Sequence, residues 1–381
     1  MLLLRGVRFV SAPVIRFCDV ARMHQAQAGE MEAAIHRVIA SGSLILGPEV
    51  RAFERDVERF LGVPHAIGVG TGTDALTLTL VASGVLPRDE VIVPTFTHVA
   101  ALEAVRWAGA TPRLVDTNEH REVDARVFRR AIGPRTRACI LPSLHGRAAR
   151  IGELLAIAEE RNVAVIEDAC QAFGATVEGR CAGTRGTAGC FSFYPTKVLG
   201  GVGDGGMVVT ADDAVAEAVR SLRAHGATWS DKYRHVRLGT NSRLDELQAA
   251  ILRVKLAELP QAIERRRRIA ARYDAHLARH PWLRRPPLGE GDTFYAYVIA
   301  CEGRDSLRDH LRLLGIEAPI HFPVPLHEQP AYVGAYSPAV GVFHGASVLC
   351  RTVLSLPCHP VMTDEEVASV CRAIDTFAAG R

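Results

Sequence analysis

Three stretches hold residue types that do chemistry when brought together. Lys197 stands in "CFSFYPTKVLGGVGDGG", after an aromatic run and before a glycine cluster. It is one of only three lysines, with Lys232 and Lys255, among 45 Lys and Arg residues. The simplest source of that bias is a GC-rich genome that favours arginine codons. Under such a bias, a lysine that remains can mark a place where a guanidinium cannot substitute. An amine can lose its proton and attack a carbonyl, whereas arginine stays charged and is not nucleophilic. Asp168 ends the apolar run "VAVIED". Taken alone, a carboxylate there reads as a helix cap. The third stretch is "GVGTGTDAL", where Gly70, Gly72 and Ala75 fit G-x-G-x-x-A. That loop suits a dinucleotide pyrophosphate, and equally any phosphate ester held by backbone N–H groups at a helix start.

The neighbours of the loop separate these two readings. A dinucleotide site wants an acidic residue at the end of the following strand to hold a ribose hydroxyl. Here that strand is "EVIVP", and its acids, Asp89 and Glu90, precede it. A smaller phosphate ester fits better. Ligands of open α/β sheets gather outside the carboxyl ends of strands, and "VAVIED" and "FSFYPTK" bring Asp168 and Lys197 to one such edge. A carboxylate, a phosphate cradle and a scarce lysine at one edge suggest pyridoxal 5′-phosphate. The lysine forms the Schiff base, and the carboxylate keeps the pyridine nitrogen protonated so that the ring accepts electrons. The helix start at Thr73 and Asp74 neutralises the phosphate. Lys255 lies on an amphipathic helix and is expected at the surface; Lys232 falls in a polar loop.

The elements that must position these groups follow from periodicity. Residues 20–60 read as two helices, "MHQAQAGEMEAAIHRVIASG" and "GPEVRAFERDVERFLG". Short apolar runs then alternate with helical stretches: "HAIGV", "EVIVP", "TPRLVD", "RACILP", "VAVIED", "GCFSFY" and "GGMVVT" between "DALTLTLVASG", "HVAALEAVRWAG", "IGELLAIAEERN" and "DDAVAEAVRSLRAHG". This pattern predicts a mostly parallel sheet covered on both faces. A long helix from "SRLDELQ" follows, broken or kinked at Pro260. Beyond it "FYAYVIAC" and the "HFPV" region are expected as strands of a smaller α+β unit. The division is set at 1–250 and 251–381.

Composition bounds the rest. A chain of 381 residues suggests two domains, and 48% hydrophobic with 23% charged residues suits a soluble globular protein. A net charge of +3 gives no case for nucleic acid or a membrane surface. Nine cysteines without a C-x-x-C predict reduced thiols in the cytoplasm and no metal site. "MLLLRGVRFVSAPVI" is interrupted by Arg5 and Arg8. It reads as an extension or a first strand, not a signal or a span.

With these motifs in order, the chain resembles the DegT/DnrJ/EryC1/StrS family of sugar aminotransferases. The resemblance runs from about Ile15 to the C-terminus through "LGPEVRAFE", "GTGTDALTL", "EVIVPTFT", "VIEDACQAFGA", "FSFYPTK", "NSRLDELQAAIL", "HFPVPLHEQPAY" and "LSLPCHPVMTDEEV". It implies the fold-type I pyridoxal-phosphate (aspartate aminotransferase-like) architecture, and a homodimer with the cofactor at the subunit interface. By the same resemblance Lys197 is the Schiff-base lysine, and Asp168 is the partner of the ring nitrogen. Gln171 contacts the phenolic oxygen. Gly72, Thr73, Asp74 and Ser192 hold the phosphate, with Asn241 of the partner subunit. Tyr233, His235, His321 and His327 fall in stretches expected at the substrate.

The sequence departs from the family pattern at three places. His98 takes the position of an aromatic that stacks on the pyridine ring. "Ser143-Leu-His145-Gly146" replaces "H-L-Y-G", and Arg150 stands where an acid is usual. These bear on the substrate, not the cofactor. Most of the family moves an amino group, typically from L-glutamate, to a keto sugar; a minority are dehydratases with histidine at the lysine position. Lys197 therefore favours transamination. The preferred acceptor is a nucleotide-linked 3-keto-6-deoxyhexose, as in deoxyamino-sugar and antibiotic biosynthesis. The alternatives are a 4-keto-sugar or keto-cyclitol aminotransferase, a pyridoxal-phosphate sugar dehydratase or a non-catalytic cofactor-binding partner protein, with an NAD-dependent oxidoreductase as the outside reading.

Overall fold

The computed structural model describes residues 14–228, 230–337 and 342–380. The opening stretch that contains Arg5 and Arg8 lies outside the described residues. Where one helix was expected over 23–42 there are two, α1 (Val20–Gln25) and α2 (Ala28–Ser41). The Gln27 N–H turns back to the His24 carbonyl, a three-residue closure that interrupts the α-helical ladder. α2 stops at Gly42, whose φ of 67° suits a residue without Cβ. α3 (Pro48–Leu61) opens with its proline in the first turn, where no N–H is needed. The N–H groups of Gly47, Glu49 and Val50 donate to the carboxylate of Glu246, which comes from far along the chain and is buried.

The apolar runs form strands as expected. They are β1 (His65–Val69), β2 (Glu90–Pro94), β3 (Thr111–Val115), β4 (Thr136–Pro142) and β5 (Ala164–Asp168). A small hairpin, β6 (Thr176–Val177) and β7 (Arg180–Cys181), precedes β8 (Ala188–Ser192) and β9 (Gly206–Thr210). Seven of them make one sheet in the order β1-β9-β8-β5-β4-β2-β3, in which only β9 runs against its neighbours.

Alternation along the strands explains why both faces are covered. Val91 and Val93 pack beneath α4 (Gly72–Ala82), α5 (Ala100–Trp107) and α8 (Asp213–Leu222). Ile92 points the other way, toward α6 (Ala125–Ala131) and α7 (Gly152–Glu160). At the β1 end that second face is covered by α3 and α9 (Glu246–Ala257).

The long helix ends at Ala257, and α10 (Leu259–Leu277) restarts with Pro260 in its first turn. Residue 250 falls inside α9, whose Ala249 and Leu252 pack in the core of the large sheet. We keep the two-part division as a proposal and count this helix with the sheet. Beyond it, β10 (Tyr297–Ala300) pairs with β11 (Val353–Leu356). α11 (Arg304–Leu313), α12 (His344–Thr352) and α13 (Asp364–Ala379) complete the unit. The "HFPV" stretch is not a strand, a correction to expectation, because β11 takes the place beside β10. Lys255 is also corrected. α9 is enclosed by α2 and α3, so Lys255 is buried and its Nζ donates to the Gly200 carbonyl. Burial pulls its pKa down to about 8.

Candidate active site

A cavity of about 420 Å³ opens at the carboxyl end of β5 and β8. The two strands are parallel, with Asp168 paired to Cys190 in register, so Asp168 and Ser192 reach the same edge. Asp168 is buried, and its Oδ1 accepts from the Cys170 N–H at 3.2 Å. No ion pair engages it among the described residues. Past β8 the chain turns back on itself, with the Lys197 N–H donating to the Tyr194 carbonyl at 2.8 Å. That turn puts Lys197 Nζ 5.2 Å from the centre of the Tyr295 ring, inside the cavity.

The glycine loop forms the opposite wall. Thr71 caps α4, its Oγ1 accepting from the Asp74 N–H at 3.0 Å. Gly72 and Thr73, at the head of the helix, have no carbonyl one turn back to bond to and line the cavity. A Cβ on Gly72 would come within 2.8 Å of the Ser192 Cβ and 3.0 Å of the Cys170 Sγ, so this approach requires glycine. Ser242 ties the loop together: its hydroxyl accepts from the Gly70 N–H at 2.9 Å and donates to Asp74 Oδ2 at 2.8 Å. Asp74, expected at the phosphate, thus has both its N–H and its carboxylate engaged elsewhere and does not line the cavity.

Gln171 borders the cavity with its orientation fixed, because its Oε1 accepts from the His145 N–H at 2.8 Å. Its NH₂ is left to donate. His98 projects into the open space beside Phe322, with ring centres 5.9 Å apart. Burial lowers the His98 pKa, and the nearby Asp168 charge opposes that shift. His321 is held by Ser355 Oγ at 2.9 Å; burial, then Lys197 and His98, bring its pKa to about 4. At neutral pH His321 is therefore uncharged.

Other expected residues stand apart. His327 lies outside the cavity, bonded to Thr95 Oγ1 at 2.8 Å and packed on Phe343. Arg150 is exposed and also lies outside it. Ser143 lines the wall, but its hydroxyl accepts from the Ala149 N–H and so serves the loop. Tyr233, His235 and Asn241 belong to an exposed segment away from their own chain's cavity. Tyr295, Phe322, Thr97 and Cys170 border the cavity without having been singled out. Tyr295 and Phe322 arrive from distant sequence, and no local pattern distinguishes them from core aromatics.

The donor set fits pyridoxal 5′-phosphate: an amine, a buried carboxylate in no ion pair among the described residues, and a helix start whose glycine a Cβ would block. Residues 25–375 match the sequence model of the DegT/DnrJ/EryC1/StrS aminotransferase family. The chain is 41% identical to the dTDP-3-amino-3,4,6-trideoxy-alpha-D-glucose transaminase of Streptomyces venezuelae, covering 96% of this chain and 97% of that one. It is 40% identical to the UDP-N-acetyl-3-dehydro-alpha-D-glucosamine 3-aminotransferase of Acidithiobacillus ferrooxidans, over 91% and 93% of the two chains. Its fold is similar to the crystal structure of S. venezuelae DesV in complex with a ketimine intermediate. That match has a TM-score of 0.92 at 41% identity and covers 96% and 99% of the two chains. Among the described residues no helix is long and apolar enough to cross a membrane.

Proposed function

The chain belongs to the DegT/DnrJ/EryC1/StrS aminotransferase family, and from that premise we propose that it aminates C3 of a nucleotide-linked 3-keto-6-deoxyhexose, with L-glutamate as donor. The protein is a pyridoxal-phosphate-dependent aminotransferase of the fold-type I architecture. One observation carries the reading of the site. Lys197 and Asp168 face one cavity whose far wall is a helix start. When bound, the cofactor supplies an electron-accepting ring that carries the amino group between the two substrates.

Lys197 would hold the cofactor covalently, and its Nζ would move the proton between the donor's Cα and the carbon that carries the nitrogen. Asp168 would keep the ring nitrogen protonated. The Gln171 NH₂ would donate to the phenolic oxygen, and Gly72 and Thr73 N–H groups with the Ser192 hydroxyl would bind the phosphate. His98 would cover one ring face and exclude water. His321, neutral and open to the cavity, would meet the sugar. The substrate side is supported by the relatives named as 3-aminotransferases. To test it, dTDP-linked 3-keto- and 4-keto-6-deoxyhexoses are compared as acceptors with the glutamate-charged enzyme. A kcat/KM at least about tenfold higher for the 3-keto isomer is expected, about 1.4 kcal/mol of discrimination. Preference for the 4-keto sugar or for a keto-cyclitol would overturn the assignment.

The exposed segment supports a homodimer. Leu238 is 98% exposed and Tyr233 78%, with Val236 beside them, an apolar run that a second copy would cover. Asn241 would then complete the partner's phosphate site, with Tyr233 and His235 at its substrate end. Mixing inactive Lys197→Ala and Asn241→Ala protomers is expected to restore up to about a quarter of wild-type activity. Half the dimers are mixed, and each has one site with neither defect. Verified subunit exchange with no recovery would count against shared sites. The nine free cysteines support a cytoplasmic location.

A further inference from the structure

His145 departs from the family pattern, and the structure makes it a junction for three walls of the cavity. Its backbone N–H donates to Gln171 Oε1 at 2.8 Å. Its carbonyl accepts from the Ala296 N–H, next to Tyr295. Its Nε2 lies 3.2 Å from the His321 carbonyl, beside Phe322. Behind it, Arg121 NH1 lies 3.2 Å from His145 Nδ1. The turn is tightly confined: Gly146 has φ of 90°, and a Cβ there would sit 2.3 Å from the Tyr295 nitrogen.

We infer that Arg121 and His145 form a positioning pair, His145 buried and Arg121 half-buried behind it. Arg121 locks the imidazole as its Nε2–H tautomer, and the His145 turn then sets Gln171, Tyr295 and His321 around the cavity.

The tautomer follows from donor and acceptor counting. A guanidinium only donates, so Nδ1 must be bare and accept. Nε2 therefore carries the proton and donates to the His321 carbonyl, which can only accept. Burial first, then the Arg121 charge, lowers the His145 pKa well below the usual range. Burial and Arg147 bring Arg121 down to about 10, so it is still cationic at neutral pH. No carboxylate pairs with Arg121 among the described residues, and its Nε is buried without a partner. Such a cation costs stability. Its guanidinium is engaged by His145 Nδ1 and, at 3.5 Å through NH2, by the Val298 carbonyl; of the two, the bond to His145 reaches the cavity.

The inference rests on this cavity holding pyridoxal phosphate, and its test separates the two. Stripped full-length protein is titrated with pyridoxal 5′-phosphate while the visible band of the lysine-bound cofactor is followed. Wild type without a band means that the reading of the cavity fails. With the band present in wild type, Arg121→Met is expected to raise the cofactor Kd about tenfold, the effect of one charge-assisted bond transmitted through Gln171. Arg121→Lys, which keeps one donor for Nδ1, should return it to within about threefold. An unchanged Kd in Arg121→Met, or Arg121→Lys as weak as Arg121→Met, overturns the inference. Should Arg121→Met not fold, His145→Asn decides, since its Oδ1 keeps an acceptor for Arg121 while its shorter amide falls short of the place from which Nε2 meets the His321 carbonyl. It should leave the cofactor Kd within about threefold and raise KM for the dTDP-linked 3-keto sugar about tenfold. An unchanged KM overturns the inference.

Discussion

Lys197→Arg is expected to fold and to transfer no amino group, with kcat down by at least about 10⁴-fold. The backbone turn that presents this residue is held by its own N–H on the Tyr194 carbonyl, which the substitution leaves alone. A guanidinium can also keep the cation's place over the Tyr295 ring, 5.2 Å from its centre in the native protein. It cannot become a neutral nucleophile or take and return a proton near pH 7. Steady-state assay gives the rate. Borohydride reduction of wild type and peptide mapping should find the cofactor on Lys197. The other two lysines are poorly placed for it. Lys232 is exposed beside Tyr233, and Lys255 is engaged with the Gly200 carbonyl. An adduct on either would overturn the assignment.

The second large effect is expected for Asp168→Asn, with kcat down about 10²–10³-fold or more and the cofactor still bound. Asparagine has nearly the same shape, and its Oδ1 can still accept from the Cys170 N–H that Asp168 receives at 3.2 Å. What disappears is a negative charge in a buried position, the feature proposed to keep a proton on the ring nitrogen. Both half-reactions pass through the same ring. Stopped-flow traces with glutamate and with the keto sugar should therefore slow together. A variant within a few fold of wild type would reduce Asp168 to a cap on the loop after β5.

The fold was legible where the pattern was local. Each of the seven sheet strands was visible as an apolar run, because strands covered on both faces need apolar residues at successive positions. Pro260 marked the break between α9 and α10, and proline has no N–H to continue a helix. The misreadings share a cause, since each depended on what packs against the segment. Lys255 was read as a surface residue from its helix alone, but α2 and α3 enclose that helix. "HFPV" has strand-forming composition, yet β11 occupies the position beside β10. That Lys197, Asp168, Gln171 and Ser192 line one cavity was legible, because they sit at fixed offsets from strand ends. Tyr295 and the Arg121–His145 pair were not, since they meet the cavity only through contacts distant in sequence.

The pairing of β1 with β9 has a consequence for how the chain is made. β1 leaves the ribosome early, yet its ladder partner runs from Gly206 to Thr210. At about 5–20 residues per second, β1 waits roughly seven to thirty seconds for that partner. The cap on α3 comes later still, with Glu246. During this interval the nascent chain carries an apolar strand with no ladder, a template for wrong pairing with another chain. A polypeptide stopped before Gly206 contains Lys197 and Asp168 but leaves β1 and the glycine loop without their support. Lys197 thus emerges before the proposed phosphate cradle can close, a step that waits for β9 and for Ser242 to tie the glycine loop.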